Sequence, residues 1–212
     1  SRFNIKAQFF TQRGFGVLEL NYRGSTGYGR SYTQSLRGNW GIFDVEDAEG
    51  AVEHLVQMGL AHPEKIAIMG GSAGGYTVLQ ALTDRPGVFA VGVCLFGVSN
   101  LFSLDQDTHK FESEYCSGLL GALPDAASKW RERSPLFKAD QIDDPLLIFH
   151  GAKDKAVPIE QAEEIVSILR GQSKDVVYNT YPNEGHGWKH AENIEHFYQE
   201  TLAFLVDRMV LC

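Results

Sequence analysis

Cysteine is scarce: the 212-residue chain holds three, Cys94, Cys116 and Cys212. The number is odd and no pair has metal-ligand spacing, so neither a disulfide framework nor a metal site is expected. The thiols read as those of a reducing compartment, the cytoplasm by default. Long apolar runs are missing too. No stretch reaches the roughly 18 apolar residues a spanning helix needs, and no signal-peptide pattern opens the chain, so no membrane partner is expected. Positive charge is in deficit, with 19 Lys and Arg against 27 Asp and Glu and a net charge of -8. Without a basic cluster, nucleic acid and anionic surfaces are poor partners. Internal repeats, low-complexity linkers and a His-Glu-x-x-His pattern are also absent, and no cofactor or metal is implied.

What is present is a chain with 43% hydrophobic and 22% charged residues, enough for a sizeable packed core. Strand and helix textures alternate. Phe3 to Arg13 reads as a helix stopped near Gly14, and "FGVLELNY", Phe15 to Tyr22, as a strand. After a glycine-rich loop, Asp44 is placed to cap a helix faced by Val45, Ala48, Val52 and Leu55. "VFAVGVCLFG", Val88 to Gly97, is nearly continuous in apolar residues, as a buried parallel strand requires. From Ser99 to about Asp144 the pattern weakens into short helices and loops. "PLLIFHG" is the next strand. A helix opened by Pro158 and closed by Gly171 follows, faced by Ala162, Ile165, Val166 and Leu169. "DVVYNTYP" and a final amphipathic helix through Ile194, Phe197, Tyr198, Leu202, Leu205 and Met209 end the chain. This order predicts one doubly wound α/β domain with a mainly parallel sheet.

The stretch "KIAIMGGSAGGYTVLQAL", Lys65 to Leu82, joins a strand to a helix through Gly70-Gly71-Ser72-Ala73-Gly74-Gly75. Two phosphate-loop readings fail. A Walker loop needs Lys then Ser or Thr after its last glycine, where Tyr76 stands, and a dinucleotide fingerprint needs glycine where Ser72 stands. Taken alone, the stretch is either a tight turn with Ser72 as an N-cap or a nucleophile elbow, G-x-S-x-G. In an elbow the serine occupies a strained turn and its hydroxyl projects above the strand end. The amide after it, that of Ala73, and the helix N-terminus then stabilise an oxyanion.

The elbow gains weight from residues further along the chain, since such enzymes place an acid and a histidine after later strands in the order Ser, Asp, His. "GAKDKAVP" offers Asp154 just past one strand, and "NEGHGW" offers His186 just past the next. Both lie where open α/β sheets gather their sites. Of the seven histidines, His54, His62, His109, His190 and His196 sit in helix or loop texture without a partner. His150, inside a strand end, competes with His186 for the role of base but reads as a core residue.

These residues carry a family resemblance. "NYRGSTGYGRSY", "GNWGIFDVEDAEGAVEHL", "GGSAGGYTVL", "SPLF", "GAKDKAVP" and "EGHGW" run from about Arg13 to the C-terminus. Together they resemble the catalytic domain of the prolyl oligopeptidase family of serine peptidases, in its acylaminoacyl-peptidase and dipeptidyl-peptidase-like branch. The resemblance implies an α/β-hydrolase fold, with Ser72 as nucleophile, His186 as general base and acid, and Asp154 orienting His186. It implies hydrolysis of short peptides or of an acylated N-terminal residue, without cofactor. It also implies an upstream β-propeller, and a strand and loop before the first helix that contribute the second oxyanion donor. Residues 1–212 are therefore expected to be a single catalytic domain from the C-terminal part of a longer chain, with N-terminal strands missing. The opening Ser1, in place of Met, agrees. The unpaired edge this would leave invites association, so a homo-oligomer is an expectation as well.

One departure touches specificity. Family members often carry a polar residue two positions after the catalytic Asp, and Ala156 stands there. By analogy with the family, Phe102, Tyr115, Leu119 and Val157 are candidates for the wall of an apolar leaving-residue pocket, although aromatics in such a segment also serve as plain core. Arg23 reads as a loop-ordering residue, with substrate contact as the other role. Two rivals to a small-peptide serine peptidase stay open on these residues: a carboxylesterase with the same triad and fold, and a catalytically silent binding domain.

Overall fold

The computed structural model describes residues 4–107 and 115–211, the side chains of 106, 107 and 115 excepted. His109, Cys212 and the expected helix start at Phe3 lie outside them. The elements in chain order are α1 (Ile5–Thr11), α2 (Arg30–Gln34), α3 (Phe43–Gln57), β1 (Ala67–Gly71), α4 (Ala73–Asp84), β2 (Val91–Leu95), α5 (Leu101–Asp107), α6 (Tyr115–Leu120) and α7 (Ala127–Glu132). A 3₁₀ segment (Pro135–Gln141), β3 (Leu146–Gly151), α8 (Glu160–Gly171), β4 (Val176–Tyr181), α9 (Ala191–Leu205) and a π-helical segment (Val206–Val210) complete the order. Local chemistry sets several boundaries. The Asn4 side chain accepts from the Lys6 and Ala7 amides to open α1, and Gly14, at φ +87°, turns the chain after it.

The four strands form one parallel sheet in the order β1-β2-β3-β4. Its register levels the carboxyl ends: Gly71 pairs with Leu95, Leu95 with Phe149, and Gly151 with Tyr181. The loops that leave all four strands therefore gather at one edge, where open α/β sheets bind ligands. Both faces are covered, as a parallel sheet demands. On one face Val45, Leu79, Leu82, Ile165 and Leu169 pack with Cys94 and Ile148. On the other, Phe10, Phe197 and Phe204 pack with Val93, Leu147 and Phe149. The apolar face expected for α8 is buried, whereas of the face expected for the last helix Phe197, Leu205 and Met209 are buried, Tyr198 and Leu202 are half-buried and Ile194 is exposed. Among the described residues no helix is long and apolar enough to cross a membrane.

Three expectations need correction. "FGVLELNY" is not a strand: residues 15–22 are irregular, with Val17, Leu18 and Leu20 at 44, 56 and 39% exposure. Strand-like composition is not enough without a neighbour to complete the ladder, and among the described residues β1 pairs only with β2. Pro158 precedes rather than opens α8, whose N-cap is Ile159. Finally, Asp44 is not the cap of α3. Ile42 holds that position, and Asp44 lies buried in the first turn.

The Asp44 carboxylate joins elements instead of capping one. It accepts the Gly41 amide at 2.7 Å and the Thr77 hydroxyl, on α4, at 2.6 Å. Burial pushes its carboxyl up from the ordinary value, against the pull of the Thr77 and Gly41 bonds. Asp44→Ala leaves the buried Gly41 donor unpaired and unclamps α3 from α4. We expect a loss of about 2–3 kcal/mol of stability, read as a lower urea midpoint at unchanged slope.

Candidate active site

β1 ends at Gly71 and α4 begins at Ala73, so Ser72 alone makes the turn. It does so at φ 56° and ψ -121°, a strained conformation for a residue with a Cβ, costing about 1–3 kcal/mol. The bonds around it hold that strain. The Ser72 amide donates to Leu95 O at 3.0 Å, and the Ser72 carbonyl accepts from the Tyr76 amide at 2.9 Å. The flanking glycines are there for space. A Cβ on Gly70 would run into the carbonyl of Gly74, and one on Gly75 would stand 2.6 Å from the Gly97 Cα. Ala73 opens the 12-residue α4, so its N–H belongs to the first turn, where amides have no intrahelical acceptor and the helix dipole favours negative charge.

His186 occupies a tight turn after β4, between Gly185 and Gly187, whose amide returns to the Gly185 carbonyl at 2.9 Å. The imidazole Nε2 lies 2.9 Å from Ser72 Oγ, and Nδ1 lies 2.7 Å from Asp154 Oδ2. An ionised carboxylate accepts only, so Nδ1 carries the proton and Nε2 is left to accept from the hydroxyl. The other Asp154 oxygen, Oδ1, accepts the amides of Ala156 and Val157 at 2.9 and 3.0 Å. Burial raises the pKa of this carboxyl, but the bonds from His186, Val157 and Ala156 outweigh it and hold the group below its ordinary value. Asp154 is therefore favoured as the anion.

His150 is fully buried, and its Nε2 donates to the Val157 carbonyl at 2.9 Å. Burial pushes its pKa down, which favours the neutral ring. The hydroxyl of Ser72 is thus met by His186, and His150 braces the loop that carries Asp154. Sequence reasoning had no signal for Glu184. Its buried carboxylate accepts the Lys189 and His190 amides and the Asn193 side chain, tying the His186 turn to the start of α9.

Three of the four pocket candidates occupy one cluster. Val157 is 3% exposed beside Tyr76, Leu101 and Trp130. Phe102 and Leu119 pack against the same group from partly buried positions. The Tyr115 side chain lies outside the described residues. Arg23 is committed to α3, through bonds from its amide and guanidinium to Asp47 and Glu46 and a stack 3.8 Å over the Phe43 ring. Of two surface grooves, one of ≈ 360 Å³ lies against Phe9 and Tyr198 and one of ≈ 470 Å³ runs along Leu20, Leu55 and the Arg23, Glu46 and Asp47 cluster; Phe102, Leu119 and Val157 line neither. Among the described residues no group of His, Cys, Asp or Glu is arranged to hold a metal ion.

A family model described as the prolyl oligopeptidase family matches residues 1–210. The chain is 39% identical to a dipeptidyl aminopeptidase BIII of Pseudoxanthomonas mexicana over 93% of its own length and 30% of that protein's. It is 31% identical to an acylamino-acid-releasing enzyme of Arabidopsis thaliana, covering 87% of this chain and 25% of that one. Among solved structures, a puromycin-hydrolyzing peptidase of Mycobacterium tuberculosis superposes with a TM-score of 0.93 at 42% identity, over 97% of this chain and 32% of that chain. The chain thus spans less than a third of the length of these relatives.

The depressed Asp154 value has a consequence for stability. A carboxylate whose folded pKa lies below its unfolded one contributes stability above the unfolded value and loses it as pH falls through the folded value. Acid-side thermal unfolding of Asp154→Asn is therefore expected to show a shallower pH slope than the parent below the ordinary carboxylate range. Equal slopes would show that the Asp154 bonds do not perturb its titration.

Proposed function

Because the chain belongs to the prolyl oligopeptidase family, we propose that it is the catalytic domain of a serine peptidase acting on short peptides or acylated N-terminal residues. The observation that carries this reading is the hydrogen-bonded line from Ser72 through His186 to Asp154, at 2.9 and 2.7 Å. His186 Nε2 takes the Ser72 proton as Oγ attacks the scissile carbonyl, and the imidazolium formed is stabilised by Asp154. The Ala73 amide donates to the oxyanion. His186 then returns the proton to the leaving amine, giving an acyl-enzyme on Ser72, and activates the water that hydrolyses it. Val157, Phe102, Leu119 and Tyr115 remain the candidates for the leaving-residue wall.

The domain is read as one catalytic unit, residues 1–212, accompanied in the intact protein by an upstream β-propeller that restricts access to small substrates. The relatives named for aminopeptidase and acylamino-acid release support an amide substrate. The carboxylesterase reading shares every residue of this site. Turnover of p-nitrophenyl esters with no cleavage of aminoacyl or acyl-aminoacyl amides would favour it.

Three substitutions test the chemistry in the intact protein. Ser72→Ala is expected to abolish covalent fluorophosphonate labelling and to lower turnover by several orders of magnitude, because the triad acts as a unit. Labelling that persists on another serine would overturn the nucleophile. His186→Gln is expected to remove turnover, while His150→Gln, which keeps a donor for Val157 O, leaves it largely intact. The rate should fall on the acid side as His186 takes up a proton, with no second inflection from Asp154, whose carboxyl is already ionised there. A reversal of the two histidine results would move the base to His150.

A further inference from the structure

Phe96 follows β2 directly and stands at φ 39°, in the left-handed region. A bulky aromatic there is an outlier that glycine would avoid. Glycine is at hand: Gly97 is the next residue, and it is Phe96 that takes the positive φ. The turn by itself gives no reason for a ring at this position, so the reason lies in what the ring touches.

The backbone of Phe96 is held from both sides. Its amide donates to Phe149 O at 2.7 Å, and the carbonyl before it, that of Leu95, accepts the Ser72 amide. The ring is thereby aimed at the site. Its centroid lies 4.5 Å from that of the His186 imidazole at 56°, and 5.4 Å from Trp188 in an edge-to-face contact. Gly71 makes room for it, since a Cβ there would come 3.1 Å from Phe96 Cε2.

His186 needs such a neighbour. Its bonds to Ser72 and Asp154 meet the ring at opposite nitrogens and, with the Cβ attachment, define its plane, so the plane is only as steady as the turn that carries His186. The side chain is 31% exposed and its chain neighbours are glycines, so neither burial nor local backbone bulk keeps the ring from tilting. We propose that Phe96 is the positioning residue for His186, packing against the imidazole and holding it in line with Ser72 Oγ. The inference rests on the reading of His186 as general base. The titratable groups facing His186 are Asp154 at Nδ1 and, behind it, His150, kept neutral by burial; neither changes on substituting Phe96.

The test compares Phe96→Leu, Phe96→Met and Phe96→Tyr with the parent in the intact protein, on one aminoacyl p-nitroanilide across pH. Both aliphatic variants keep apolar bulk without a π face, and Met serves if Leu does not fold by thermal unfolding. The expected result is a kcat about tenfold lower with KM nearly unchanged. Phe96→Tyr is expected to restore most of the turnover. Parent-like kcat in the folded aliphatic variant would overturn the proposal, as would a Tyr variant as impaired as the aliphatic one. His186→Gln, run in parallel, separates the two levels. If it retains turnover, the base assignment fails whatever Phe96 does. If it is inactive while the aliphatic variant matches the parent, only the role of Phe96 falls.

Discussion

The hydrogen bond from the Ser72 amide to the Leu95 carbonyl, 3.0 Å long, is the contact on which the site depends. It pins the one-residue turn between β1 and α4 to the end of β2. The next amide along the chain from β2, that of Phe96, is in turn pinned to β3 through Phe149. Two residues with side chains, Ser72 and Phe96, are held at positive φ by this ladder. Neither conformation would persist in a free loop, where each costs about 1–3 kcal/mol. The close passage of Gly75 against Gly97 keeps α4 near enough to the strand ends for the ladder to close. A hydroxyl held this way takes its position from the sheet, which is stiffer than any loop could be.

The other half of the site is positioned by backbone in the same manner. The Lys153 amide donates to the Glu184 carbonyl at 2.8 Å, and the Ala152 amide to that of Tyr181 at 3.0 Å, so the loops after β3 and β4 are clipped together before any side chain acts. A Cβ on Gly151 would collide with the backbone of Glu184 and Gly185. Asp154 and His186 therefore meet because their loops are joined. Their hydrogen bond is the consequence of that joint. Electrostatics then sets the roles, with Asp154 kept anionic by its donors and His150 kept neutral by burial.

Much of this was legible along the chain. The periodic apolar positions of α8 and the near-continuous apolar runs of β2 and β3 are buried as their patterns require. Ser72, Asp154 and His186 are separated widely in sequence yet stand within hydrogen-bond reach, each just past a strand, because parallel strands bring their carboxyl ends to one side. Other features had no local signature. "FGVLELNY" has strand composition, but a strand exists only as a pair, and pairing is a tertiary event. Asp44 looked like a helix cap because short acidic side chains favour that place. Its carboxylate instead reaches back to Gly41 and across to Thr77.

The sequence by itself determined the α/β order, the glycine turn around Ser72, and the family to which the chain belongs. Each of these is written in residue types at short spacing, where local sterics and hydrophobic periodicity act. Only the tertiary structure decided which histidine meets the hydroxyl, that Phe96 turns its ring onto that histidine, and that Glu184 anchors the turn beneath it. Those outcomes depend on distances between segments far apart in the chain. Such distances are fixed by sheet register and close packing, which no single stretch of sequence contains.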